Sequence, residues 1–240
     1  MIPLKDNIAK TQRPLVVWTI TVLNVLTFFY ELSLSDRGLQ IFLQLYGLVP
    51  ARLTNPSWAA WAGYPEGGFE SCLTYMFLHG GWLHLLLNMW ALWIFADNVE
   101  DAFGHFRFIV FYVICGLAAV FAHILFNFSS TMPVVGASGA IAGVMGAYLK
   151  LYPHARVTAI VPIVIIPVVM NLPAPVFLGF WFLMQLFSGV SSSLGGGEAS
   201  NVAFWAHAGG FVAGFLLAPL FTPPRRRIRY DPGVRRYDVR

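Results

Sequence analysis

Six apolar stretches, parted by short polar or Gly-rich joints, constrain this chain more than any other feature. A helix that crosses a bilayer needs about 20 apolar residues. Stretches approaching that length run at about Pro14–Leu32, Ser71–Val99, Phe106–Phe128, Gly136–Leu151, Ala174–Val190 and Val202–Phe221. Charged residues make up 11% of the 240, against roughly a quarter in soluble domains. Mean hydropathy is +0.67. These values exclude a disordered chain and argue against a cytosolic globular domain. The expected fold class is all-α: a polytopic membrane protein with a six-helix transmembrane bundle.

One apolar stretch fits no span. Val157–Met170 has 14 residues and contains Pro162 and Pro167, each of which lacks a backbone donor. An interfacial or re-entrant segment is expected there. Between the first two spans, Ser33–Glu70 reads as a polar loop with Trp and Gly, and Ser191–Gly197 as a flexible joint by composition.

Charge supports six spans over seven. With the N-terminus inside, 13 of the 15 basic residues fall on the inner side, leaving Arg37 and Arg52 outside. The positive-inside rule predicts this asymmetry. A seventh span would move the seven tail arginines, Arg225 to Arg240, across the membrane. The expected organisation is a cytoplasmic segment 1–13, a transmembrane domain 14–221 and a basic cytoplasmic tail 222–240. The N-terminus carries charges of both signs and no small-residue cleavage site, so no removable signal is read. Directly after a span, the arginine tail suits anionic lipid headgroups better than nucleic acid. Cys72 and Cys115 form neither a disulfide framework nor zinc-ligand spacing.

Polar side chains within spans are costly and point to function. Four stand out: His84 and Asn88 in the second span, Ser138 at the start of the fourth, and His207 early in the sixth. These three spans run in the same direction, so their polar residues reach similar depth below the outer surface. Serine is a weak nucleophile that needs an adjacent base, and a neutral imidazole is the usual one. Ser138 follows Gly136 and Ala137 at a helix start, where backbone N–H groups favour a developing anion. His84 and Asn88, four apart, share one helical face, and both can donate to an oxyanion. No acidic residue occurs between Asp101 and Glu198. A Ser–His dyad is therefore expected rather than a triad, with Glu198 the one acid that challenges it. Gly139, Gly143 and Gly146, with Gly210 and Gly214, give faces on which two spans approach closely.

These residues carry a resemblance. The chain resembles the rhomboid intramembrane serine proteases over about residues 14–221. The motifs are His79-x4-His84-x3-Asn88, Gly136-Ala137-Ser138-Gly139, Ala206-His207-x2-Gly210-x3-Gly214 and the acidic Glu100-x3-Gly104. The resemblance implies cleavage of transmembrane segments of other proteins, without metal or cofactor. It makes Ser138 the nucleophile, His207 the general base, and His84 and Asn88 the oxyanion contributors. It implies single-span membrane proteins as partners and a multi-pass protein of the cell's inner membrane, both termini cytoplasmic. His79 and Glu100 read as structural. Two departures stand out: the family's Trp-Arg pair in the first loop is absent, although Arg52, Trp58 and Trp61 are present. The position four after the serine, often an aromatic stacked on the histidine, is Ala142.

Rival readings fare worse. Gly136-x-Ser138-x-Ala140 lacks the second glycine of the α/β-hydrolase elbow, and H-E-x-x-H is absent. A transporter, or a membrane protein binding metal through His79, His84 and His207, is disfavoured: paired half-helices in corresponding halves and intramembrane carboxylates for ion coupling are not read in the sequence. An inactive rhomboid-like protein that only binds membrane clients is the remaining alternative, and intact Ser138 and His207 oppose it.

Overall fold

The computed structural model describes residues 1–163, 166–194 and 203–223. Glu198, the end of the glycine joint at Gly195–Gly197 and the arginine tail lie outside the described residues.

The described chain is mostly helical. Helix α1 covers Leu15–Ser33, and α2 (Asp36–Tyr46), α3 (Pro50–Thr54) and α4 (Pro56–Trp61) follow. Then come α5 (Ser71–Thr74), a 3-10 turn (Tyr75–Phe77), α6 (Trp82–Phe103) and α7 (His105–Phe126). The last three are α8 (Ser138–Leu151), α9 (Ala174–Leu194) and α10 (Phe204–Phe221). Four of them, α1, α7, α9 and α10, are long and apolar enough to cross a membrane. Helix α6 has the length but carries Asp97, Glu100 and Asp101, and α8 has only 14 residues.

Three details depart from the sequence expectation. The second apolar stretch is not one helix: it breaks at Leu78–Gly81 and restarts at Trp82. The loop Ser33–Glu70 holds three helices of its own. Ser35 caps α2 by accepting from the Gly38 N–H, and Asn55 caps α4 by accepting from Trp58, a local pattern that side-chain oxygens favour. Ser191–Leu194, expected in a flexible joint, continue α9.

The largest correction concerns Val157–Met170, because the fold is not purely α. Arg156–Ile163 (β2) and Ile166–Pro173 (β3) form an antiparallel hairpin, and Ile2–Asp6 (β1) pairs with β2 to make a sheet of order β1-β2-β3. Val157, Thr158, Ile160 and Val161 are β-branched, which favours a pleated strand. Pro162 and Pro167 sit opposite each other at the hairpin's end, where missing donors cost least. Pairing with a segment more than 150 residues away in sequence leaves no local trace.

Helix α8 is the centre of the bundle. Every residue from Gly139 to Tyr148 is buried, as expected for a helix apolar all round. Its glycine face meets α10 at backbone contact. A Cβ on Gly143 would lie 3.1 Å from the Gly210 carbonyl oxygen, and one on Gly214 or Gly210 would overlap the Gly143 or Gly139 carbonyl. At the other end, Glu100 is buried and accepts from the Val16 and Val17 N–H groups, each at 2.9 Å. These are donors that the first turn of α1 cannot satisfy within the helix. Gly104, at φ +81°, turns the chain between α6 and α7, a conformation that glycine adopts without steric cost.

Candidate active site

Ser138 is the first residue of α8, and His207 lies in the first turn of α10. The glycine contact between these helices brings Ser138 Oγ to 2.7 Å from His207 Nε2. His207 Nδ1 lies 2.8 Å from Gln185 Oε1 on α9. With the Nδ1 proton donated to Gln185, Nε2 keeps its lone pair for the serine hydroxyl. That is the tautomer a general base requires.

Gly136 shapes the approach to the serine. Its φ is +121°, and a Cβ there would stand 2.7 Å from His84 Nε2 and 3.4 Å from Asn88 Nδ2. Only a residue without a side chain lets these two groups reach the backbone two positions before Ser138. The Gly136 N–H donates to the Tyr75 carbonyl, tying this turn to the 3-10 segment. His84, Asn88, Ser138 and His207 all line one cavity of about 1100 Å³. It is bordered by α6 residues from Trp82 to Phe95, by Phe177 and Trp181 of α9, and by Met1, Ile2 and Pro3.

The supporting residues explain several motif positions. Buried His79 places Nε2 3.0 Å from Asn88 Nδ2 and packs its ring edge-on to His84, centroids 5.1 Å apart. Its backbone N–H donates to Glu31 of α1, which is buried. His79 thus fixes both members of the pair expected at the oxyanion, in keeping with a structural part. Glu100, likewise, binds backbone and His105, far from the serine.

Both departures from the motif pattern have a structural answer. Arg52 is buried, donates to the Leu45 carbonyl at 2.7 Å, pairs with Glu70 at 3.4 Å and stacks over the Tyr64 ring. It anchors the first loop without an adjacent tryptophan. Opposite His207, the aromatic absent at Ala142 is replaced from another helix: Trp181 lies with its ring centroid 5.9 Å from the imidazole.

Sequence reasoning missed Gln185 and Trp181. Gln185 carries the one side-chain amide between Ala174 and Phe187. The rule that singled out His84 and Ser138 applied to it equally. Among the described residues, no three His, Cys, Asp or Glu side chains converge as a metal ion would require.

Comparison with known proteins agrees with the motifs. Residues 66–224 match the family model described as the Rhomboid domain. The chain is 33% identical to RHOMBOID-like protein 5 of Arabidopsis thaliana over 63% of this chain and 44% of the relative. It is 31% identical to Rhomboid protease GluP of Bacillus subtilis over 67% of this chain and 27% of the relative. With Rhomboid protease AarA of Providencia stuartii it shares 27% identity over 88% of this chain and 74% of the relative. The chain spans less than half the length of the first two. A domain match over 159 residues, carrying the serine, the histidines and the glycine faces described above, means that this integral membrane protein belongs to the rhomboid family.

Proposed function

We propose that the protein is an intramembrane serine endopeptidase that cleaves transmembrane segments of single-span membrane proteins. The observation that carries this reading is the 2.7 Å approach of Ser138 Oγ to His207 Nε2 inside a cavity that also holds His84 and Asn88. Ser138 Oγ attacks the scissile carbonyl carbon while its proton passes to His207 Nε2. The carbonyl oxygen becomes an oxyanion, held by the Ser138 backbone N–H at the start of α8 and by donors from His84 and Asn88. The tetrahedral intermediate collapses, the C–N bond breaks, and His207 returns the proton to the leaving amine. A water molecule, deprotonated by His207, then releases the acyl group from Ser138.

The proposed topology has six spans, α1, α6, α7, α8, α9 and α10, within a domain at 14–221. The basic tail 222–240 is cytoplasmic, at anionic lipid of the inner leaflet; of the segment 1–13, residues 7–13 stay on the cytoplasmic side while Ile2–Asp6 reach up into the bundle as β1. The distribution of 13 basic residues against two supports this orientation. The test is cleavage in proteoliposomes of a single-span substrate with an outer helix-breaking segment. The protein cuts within the span and Ser138→Ala does not; equal cutting by both overturns the reading.

A further inference from the structure

We propose that Gln185 is a positioning residue for His207, holding the general base of the Ser138–His207 dyad in place. This deepens the proposed function and rests on it. An imidazole with one nitrogen at the nucleophile needs its other nitrogen bonded, or the ring can rotate and the wrong nitrogen can carry the proton. Here Nδ1 faces Gln185 Oε1 at 2.8 Å while Nε2 faces Ser138 Oγ at 2.7 Å. Trp181 and Gln185 stand four residues apart, hence on one face of α9. That face meets His207 with an aromatic ring centroid at 5.9 Å and an amide oxygen at 2.8 Å. A neutral amide supplies direction without adding a charge to an apolar setting.

The test compares Gln185→Leu, which fills similar space without an acceptor, with Gln185→Glu, which keeps one. Both are read by transmembrane-substrate kinetics and by fluorophosphonate labelling. Misplacement of a catalytic group costs on the order of 10²-fold in rate. Gln185→Leu lowers kcat by roughly 10- to 100-fold. KM is unchanged, and labelling of Ser138 slows in parallel. Gln185→Glu recovers most of the loss. The ¹⁵N signals of His207 show Nδ1 protonated in the wild type and a mixture of tautomers in Gln185→Leu. Equal kcat in wild type and Gln185→Leu overturns the proposal, as does an unchanged tautomer. If wild-type Ser138 fails to label at all, the catalytic reading itself falls, an outcome distinct from the other two.

A second, independent observation concerns the N-terminal strand. Residues 3 to 11 climb along α6. Thr11 bonds Asp101, Lys10 pairs with Asp97, Asp6 accepts from Asn98 and Tyr148, and the Pro3 carbonyl accepts from Trp90 at 2.6 Å. From Asp101 to Trp90 is about 16 Å of helix rise. The strand thereby enters the cavity that holds Ser138 and His207, and Met1, Ile2 and Pro3 form part of its wall. We infer that β1 holds the place of an extended substrate segment, which displaces it and pairs with β2. Main-chain pairing to a strand edge is tolerant of sequence, as a protease with varied apolar substrates needs.

Ile2 and Ile160 are direct partners across β1 and β2, so Ile2→Cys/Ile160→Cys can lock the strand by a disulfide, verified by peptide mass. The locked protein labels at Ser138 like the reduced protein but cleaves a transmembrane substrate at least 10-fold more slowly, with recovery on reduction. Trp90→Phe, which lacks the N–H to Pro3, lowers KM for the same substrate. Equal cleavage by locked and reduced protein overturns this inference and leaves the catalytic reading standing. Absence of labelling in both forms overturns the two together.

Discussion

Ser138 Oγ and His207 Nε2 lie 2.7 Å apart although 69 residues separate them in the chain. The distance is set by backbone contact between α8 and α10, where Gly210 and Gly214 leave no side chain between the helices. Reactive geometry therefore depends on residues that carry no chemistry. Replacing Ser138 or His207 by alanine abolishes cleavage. Because the two act as one unit, the double variant is no worse than either single one. Kinetics of the three variants on one substrate check this.

Helix spacing is the next dependency. Gly210→Ala places a methyl group against the Gly139 carbonyl, and Gly214→Ala places one against that of Gly143. Each forces the helices apart, at about 1–3 kcal/mol of stability. Activity falls further than stability alone requires, because Ser138 and His207 separate. Thermal unfolding in detergent, compared with residual turnover at a temperature where the variant is folded, separates the two effects.

Removing one oxyanion donor costs on the order of 10²–10³ in rate. His84→Ala and Asn88→Ala lower kcat by that order while Ser138 remains reactive toward small serine reagents. Gly136→Ala gives a comparable loss by another route, since its Cβ would collide with His84 and its φ of +121° suits glycine alone. Unchanged turnover in both His84→Ala and Asn88→Ala contradicts the role assigned to them.

Most of the candidate site was legible because polar side chains in apolar spans are rare. Ser138, His207, His84 and Asn88 stood out for that reason, and helical spacing placed them at one level. Gln185 met the same criterion, but nothing in a linear reading pairs α9 with His207. Ala142 signalled a missing ring without indicating that Trp181 supplies one from another helix. The hairpin of β2 and β3 was not legible as such. Proline-broken apolar sequence is ambiguous between conformations, and its strand partner, β1, lies at the other end of the chain. The restart of α6 at Trp82 was readable only in part, from the Gly80-Gly81 pair.

Glu100 illustrates a structural motif position. Glu100→Ala leaves the Val16 and Val17 donors unpaired in a buried setting, at about 1–3 kcal/mol each. The variant unfolds at lower temperature, and its folded fraction still labels at Ser138. Loss of labelling in fully folded Glu100→Ala protein contradicts this assignment.

The proposed function requires a helical substrate to be unwound before it is cut. A helical substrate hides its carbonyls in its own hydrogen bonds, and unwinding in hydrocarbon leaves N–H and C=O groups without partners. Substrates with Gly or Pro near the cut are cleaved faster than versions with leucine at those positions, the cut-site residue being kept. Equal rates for the two contradict unwinding as the limiting step.

Mass spectrometry of the purified protein after fluorophosphonate treatment decides whether Ser138 is a nucleophile activated by His207. A single adduct is expected on the peptide that contains Ser138, formed far more slowly in His207→Ala and absent in Ser138→Ala. An unmodified wild-type protein, or an adduct on another serine that persists in Ser138→Ala, contradicts it.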